Sequence, residues 1–450
     1  MDTELWNKIL HFNIDGPISG YNFSTRLENE NYWTVNFAAA AILEYKKFMY
    51  LAATAGSMVS PSEIVDIVWH QHLVFTKSYD EFCEVLGQKI AHIPSTHHQD
   101  EFSKFKSASE RTKKLYAESF GEQPAEIWNY SNIYEPLNME RSATYLDKII
   151  GMGVILLLPA VIIAYLLLKP LYITIYNPYF VMGYAAIVVL TLASLWLYNR
   201  SKINAIIAGW HQDVFAFKLT ALEMVYLQKN NIDFVIHGVV NQLIQTGAVA
   251  VNLDKILVVD NEELVNDAVS FCVIQAIKAN AEMPYAKLVS LLKMKPAFNK
   301  TARAMDAFEK YVSASKQFIG LFIFNFVVSA LVLTLGLVRI ATGVIREKPV
   351  EIIAGFVFVT LIVLVFNLRW LTKAIGTNVL PQFYSKNIIY EEREYNNWDW
   401  QYFLLGNAVF APVFTPLTID SFNSSGSSDS SSSSCGSSCG GSSCGGCGGD

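Results

Sequence analysis

Two charge-free apolar stretches, residues 149–168 and 179–198, limit what this chain can become more than anything else in it. Each is about 20 residues long, enough to cross the hydrocarbon of a bilayer as a helix. The link between them, residues 169–178, is short and holds two prolines and two tyrosines. Residues 318–338 and 351–368 repeat the arrangement. With no water in lipid to satisfy the backbone, such stretches span as helices. Four transmembrane helices in two hairpins are therefore expected, with every other segment hung on them.

Composition agrees. Hydrophobic residues make up 52% of the 450-residue chain and charged ones 16%, and the mean hydropathy is +0.28. A net charge of −6 is too mild to make nucleic acid or anionic lipid the main partner. The first ten residues lack the basic start and apolar run of a signal peptide. The region ahead of the first hairpin is expected to stay on the side where it is made. Arg141, Lys148, Arg200, Lys202, Lys310, Lys316, Arg369 and Lys373 flank the proposed inner side; Lys169, Arg339, Arg346 and Lys348 flank the outer links. The positive-inside rule then puts both termini in the cytosol, at the cell (inner) membrane.

Residues 1–140 read as a helical domain. Apolar spacing predicts a helix over 30–55 with Gly56 as its stop, then a capping box at Ser60-Pro61-Ser62-Glu63. From there Val65, Val68, His72, Phe75, Tyr79, Phe82 and Leu86 form one stripe, ended by Gly87, and a further helix covers 100–120. Within the stripe lies Asp66-Ile67-Val68-Trp69-His70-Gln71-His72, a possible metal motif. Asp66 and His70 are one helical turn apart and share a face, so they can hold a metal or bond each other. His72 sits about 200° round from His70, on the apolar stripe. One reading makes His72 a core histidine. The other joins Asp66, His70 and His72 with an outside ligand, His92, His97 or His98, around zinc or another transition metal.

This region resembles the glycine-rich-domain-containing-protein-like family. The carrying residues are 23–27, 44–48, 61–79 and 82–87, with Asp66, Trp69, His70, His72, Thr76, Ser78 and Tyr79 matching its hallmark and Pro124, Ile127 and Trp128 its end. Its later His-His-x-Pro element stands here as Ala91-His92-Ile93-Pro94, with one histidine absent. The resemblance implies a folded module and lends no reaction.

Residues 199–317 predict two helices, 219–227 and 234–246, followed by short strands at 248–252 and 256–259, a winged-helix-like order. No lysine or arginine lies between Asn230 and Asp254, so nucleic acid is not the expected partner. Leu222–Leu227, Gly247-Ala248-Val249 and the 335–350 turn resemble a family of bacterial membrane proteins ending in cysteine- and glycine-rich sequence. Asn325, Thr334 and Asn367 are the polar residues inside the second hairpin, and they read as helix-joining groups. Trp398, Trp400 and Tyr402 lead into apolar residues 403–414, read as an interfacial helix within a juxtamembrane segment, 369–420.

Residues 421–450, rich in Ser, Gly and Cys, are expected to be disordered. Cys435, Cys439, Cys444 and Cys447 can serve as a zinc or redox site, as targets of covalent modification, or as part of an inert tether. Cys83 and Cys272 read as buried apolar groups. The overall expectation is a mainly α multi-pass membrane protein that presents this tail to a protein partner at the cytosolic face. No nucleophile accompanies Asp66, His70 and His72, so no enzymatic reaction is assigned.

Overall fold

The computed structural model describes residues 1–93, 99–211, 213–280, 282–390 and 397–425. The chain opens with α1 (Thr3–His11), capped by the Asp2 carboxylate, and α2 (Phe23–Asn31), capped by Asn22. Tyr32 then adopts a left-handed conformation, so the helix expected over 30–55 starts only at α3 (Val35–Thr54), where Thr34 caps Phe37. The single stripe of 63–86 also divides. Helix α4 (Glu63–Val74) is capped by Ser62, breaks at Phe75 (φ −87°, ψ 61°) and restarts as α5 (Thr76–Leu86). Helices α6 (Gln99–Phe120) and α7 (Ala125–Trp128) follow. They are tied to α3 by Glu44, whose Oε2 accepts from the Tyr116 hydroxyl and the Trp128 indole, each at 2.8 Å.

Helices α8 (Leu146–Thr174) and α9 (Asn177–Ala208) form the first membrane-length hairpin. The intervening soluble region holds α10 (Ala221–Lys229), α11 (Ile232–Gln245), an antiparallel ribbon of β1 (Val249–Val251) and β2 (Leu257–Val259), then α12 (Ala268–Ala279), α13 (Tyr285–Lys293) and α14 (Pro296–Ser313). The second hairpin is α15 (Lys316–Ile345) and α16 (Glu351–Ala374), and a π-helical turn at Ile375–Val379 leads into α17 (Leu380–Tyr390). Helices α18 (Trp398–Leu405) and α19 (Thr415–Ser425) end the described chain. The four long apolar helices make this a membrane-type architecture, mainly α.

Within the bundle α15 is central and packs against α8, α9 and α16. Gly336 allows this approach: a Cβ there would lie 2.4 Å from Val357 Cγ2 and 2.8 Å from the Tyr184 hydroxyl. Asn199 of α9 and Asn325 of α15, both wholly buried, exchange amide hydrogen bonds of 2.8 and 2.7 Å. Nearer the far end Arg339 is drawn back into the bundle. Its guanidinium donates to the carbonyls of Tyr172 (2.5 Å) and Ile175 (2.8 Å) and to Asn177 Oδ1 (2.7 Å), over the Phe180 ring. It thus satisfies carbonyls left free at the end of α8.

The soluble segments share one hydrophobic core, which continues to the near ends of the spans at Ile149, Ile203, Phe318 and Leu371. Residues 1–140 and 199–317, set apart by the first hairpin in sequence, pack as one body. Lys300 of α14 pairs with Glu28 of α2 at 2.7 Å, both buried. Arg303 reaches Asn29 and Tyr32, and Glu223 of α10 accepts from the Val35 N–H at 3.0 Å. The segment expected to lie at the membrane interface joins this core instead. Tyr402, Phe403, Phe414 and Leu417 are buried, and the Tyr402 hydroxyl donates to the Phe234 carbonyl at 2.8 Å. Because one core holds residues from before, between and after the hairpins, all three soluble segments lie on the same side of the spans.

Two measurements test this packing. Lys300→Met leaves the Glu28 carboxylate buried without its partner, and should cost roughly 3–5 kcal/mol of stability. That loss would be read as a lower thermal midpoint in detergent, largely recovered in the Lys300→Met/Glu28→Leu double variant. Equal loss in both would show that the pair does not hold the interface. The second concerns His237 of α11, wholly buried and 2.6 Å from the Tyr285 hydroxyl. Burial, with Lys293 adding to it, pushes its pKa down to about 3. The unfolded chain then binds the proton more readily, so its contribution is complete above about pH 6.5 and is lost as pH falls toward the folded value. His237→Gln should flatten the acid slope of stability by up to about 1.4 kcal/mol per pH unit.

Candidate metal centre

Helix α4 turns two faces to two environments. Val65, Val68, Trp69 and His72 face the core, while Asp66 and His70, one turn apart, stay partly exposed. The third member comes from the loop after α5. Gly87 ends that helix in a left-handed conformation (φ 77°) that favours glycine. The following residues are pinned to α4 through Tyr79, whose hydroxyl accepts from the Trp69 indole (3.2 Å) and donates to the Ile90 carbonyl (2.5 Å). Burial pushes the Tyr79 phenol up to about 12, so it remains a neutral donor. His92 is thereby set edge-on against Trp69 and His70, with ring centroids 4.6 and 4.4 Å away.

The three groups converge. His92 Nε2 lies 2.9 Å from Asp66 Oδ1, and His70 Nε2 lies 3.4 Å from Asp66 Oδ2. One donor atom from each residue lies within 4.8 Å of the other two. Bonds of about 2.0–2.1 Å to a tetrahedral ion place donors roughly 3.4 Å apart, so small side-chain movements close the set. It opens on a cleft of about 900 Å³ whose walls include Phe48, Glu63, Trp69 and Phe105. Two imidazoles and one carboxylate with a free direction toward a cleft is a donor set for a first-row divalent ion with an open position.

A family model described as UCP032817-like matches residues 24–118. This uncharacterised family spans Asp66, His70 and His92 together with the residues that position them. No curated protein and no solved structure matches the chain.

His72 stands apart from the cluster, which corrects its grouping with Asp66 and His70. It is wholly buried, with Nδ1 2.8 Å from the Tyr45 hydroxyl and Nε2 3.0 Å from Ser78 Oγ. Aromatic rings of Phe12, Phe23, Phe82 and Tyr79 surround it. Burial pushes its pKa down to about 4, so it is a neutral core group with both nitrogens occupied. His97, His98, Cys435, Cys439, Cys444 and Cys447 lie outside the described residues. Cys83 and Cys272 are buried and unpaired by disulfide, and burial raises the Cys272 thiol. The Trp69–Tyr79–Ile90 clamp had no signal in residue spacing, because Ile90 takes part only through its carbonyl.

The clamp can be probed without touching a ligand. Tyr79→Phe removes both hydroxyl hydrogen bonds and should lower stability by about 1–2 kcal/mol. It should also raise proteolytic cutting in the 88–93 loop relative to cutting elsewhere. An unchanged cleavage pattern would show that the loop is held by other means.

Proposed function

We propose that this chain is a membrane-anchored protein that binds a divalent transition metal, of the zinc class, through Asp66, His70 and His92. The observation that carries the reading is the convergence of three donors from α4 and the clamped loop at the mouth of a cleft. We read the soluble body as cytosolic, under the inner membrane of a bacterial cell. Arg141, Lys148, Arg200, Lys202, Lys316, Arg369 and Lys373 cluster at its end of the spans. Arg339, which counts against that orientation by charge alone, is drawn into hydrogen bonds with oxygens at the α8–α9 turn. The resemblance of residues 1–140 to the glycine-rich-domain-containing-protein-like family supports treating them as a module used in several settings. The α10–α11–β1–β2 order supports a winged-helix-like reading in which, with no lysine or arginine from 230 to 254, the partner is protein and not nucleic acid.

A second reading, an anchored interaction protein that presents the cysteine-rich tail to a cytosolic partner, is favoured by one observation. Helix α19 is packed on α13, so the core leads directly into residues 426–450. Metal content separates the two. The full chain is purified in detergent in a background with Cys435, Cys439, Cys444 and Cys447 changed to Ser, loaded with Zn²⁺, and dialysed. Close to one zinc per chain is expected, lost in Asp66→Asn and His92→Ala and kept in His72→Gln. Zinc absent from the background protein, or present equally in all variants, removes the metal reading and leaves the interaction protein.

A further inference from the structure

A second cleft, of about 480 Å³, lies within the spans, with α15 as its floor and α8 and α16 as its walls. It draws on residues 146–157 of α8, 322–333 of α15 and 361–372 of α16. On each helix the lining residues recur at three- and four-residue spacings, so each offers one face. An advance of eleven residues along a helix is about 16 Å, half of the roughly 30 Å of bilayer hydrocarbon. The cleft therefore runs the depth of one leaflet. Helices α8 and α15 leave the soluble body and α16 returns to it, so the end bearing Asp147, Arg369 and Thr372 faces that body. Tyr145 and Trp370, exposed beside this end, are of the residue types that sit at headgroup level.

Shape and charge decide what fits. Below the mouth the lining is apolar apart from Ser329, whose hydroxyl oxygen is itself buried. Gly153, where an added Cβ would lie 2.1 Å from the Phe326 ring, lets that ring close the seam between α8 and α15. Spread along about 16 Å, the volume has a mean cross-section of roughly 30 Å², whereas a helix 10–12 Å across fills roughly 80 Å² or more. A single hydrocarbon chain fits this slot, and a partner's helix does not. The mouth carries one carboxylate, Asp147, and one guanidinium, Arg369. Neither belongs to an ion pair among the described residues. A purely anionic headgroup would meet Asp147 and a purely cationic one Arg369, while a headgroup with both signs complements both.

We infer that this cleft holds one acyl chain of a zwitterionic, primary-amine phospholipid from the leaflet facing the soluble body. Arg369 takes the phosphate and Asp147 the ammonium. The chain lies along α15 as far as Leu157, Leu333 and Leu361, which close the deep end. The second chain stays in the bilayer. The inference does not depend on the metal centre, which lies in another cleft.

Native mass spectrometry of the full chain in detergent tests it, with dioleoylphosphatidylethanolamine, dioleoylphosphatidylglycerol and dioleoylglycerol as probes that share their tails. One phosphatidylethanolamine per chain is expected above the non-specific background, bound more tightly than either of the others. Arg369→Gln should weaken that binding about fivefold. Asp147→Asn should narrow the preference for phosphatidylethanolamine over phosphatidylglycerol by about the same factor. Val365→Trp, at a lining position that is 41% exposed, should fill the slot and abolish binding. Val359→Trp, 57% exposed on the same helix and outside the cleft, should bind as wild type does. All four positions are exposed, so the thermal midpoint should stay unchanged. Equal phosphatidylethanolamine binding in wild type, Val365→Trp and Val359→Trp would overturn the proposal. So would phosphatidylglycerol or dioleoylglycerol bound as tightly as phosphatidylethanolamine. A dimer present in wild type and lost in Val365→Trp alone would give the cleft to a second copy of the chain, and would overturn the lipid as its occupant.

Discussion

The joint at Ser315 is the contact on which the rest of the molecule depends. Between α14 and α15 the chain runs beside the segment that leads into α8. Arg141 and Ser315 form an antiparallel bridge, the Ser142 N–H donates to the Ala314 carbonyl (2.9 Å), and the Lys316 N–H donates to the Glu140 carbonyl (2.8 Å). Ser315 is itself buried and caps α15 at the Phe318 N–H. These short bonds fix where two spans leave the soluble body. They set α15 and α8 side by side, and α15 then gathers α9 and α16 around it. Hydropathy pairs α8 with α9 as a hairpin, but packing makes α15 the organising helix.

What could be read in advance divides along physical lines. Span positions follow from apolar length alone, which lipid makes nearly decisive, and the four helices fall where the apolar stretches do. The cap at Ser62 and the stop at Gly87 are local chemistry. The breaks at Tyr32 and Phe75 are not, since nothing in their neighbourhoods forbids a continuous helix. Tertiary packing decides them. The aromatics of 398–414 were misplaced for a similar reason: an apolar, tyrosine-rich segment looks the same whether it meets a membrane surface or α10 and α13. Periodicity correctly set His72 on the inner face. Only the fold could show that His92, distant in sequence, would return beside Asp66 and His70.

The regions before and between the hairpins meet through a buried ion pair, a carboxylate on a backbone N–H and a continuous apolar core. The cleft beside Asp66, His70 and His92 therefore belongs to the same body as helices α10 to α14. A body seated through four spans has little freedom to tilt. Whatever meets that cleft does so at a fixed height above the lipid.

Arg339 bears on how the molecule is made. Among the described residues its guanidinium donates to oxygens at and beside the turn between α8 and α9, residues translated more than 150 positions earlier. Until that turn has crossed the bilayer, α15 carries an unpaired charge at its leading end. The first hairpin thus acts as a receptor within the membrane for the second, and biosynthesis acquires a direction: the early pair prepares the oxygens, and the late pair brings the cation that locks them.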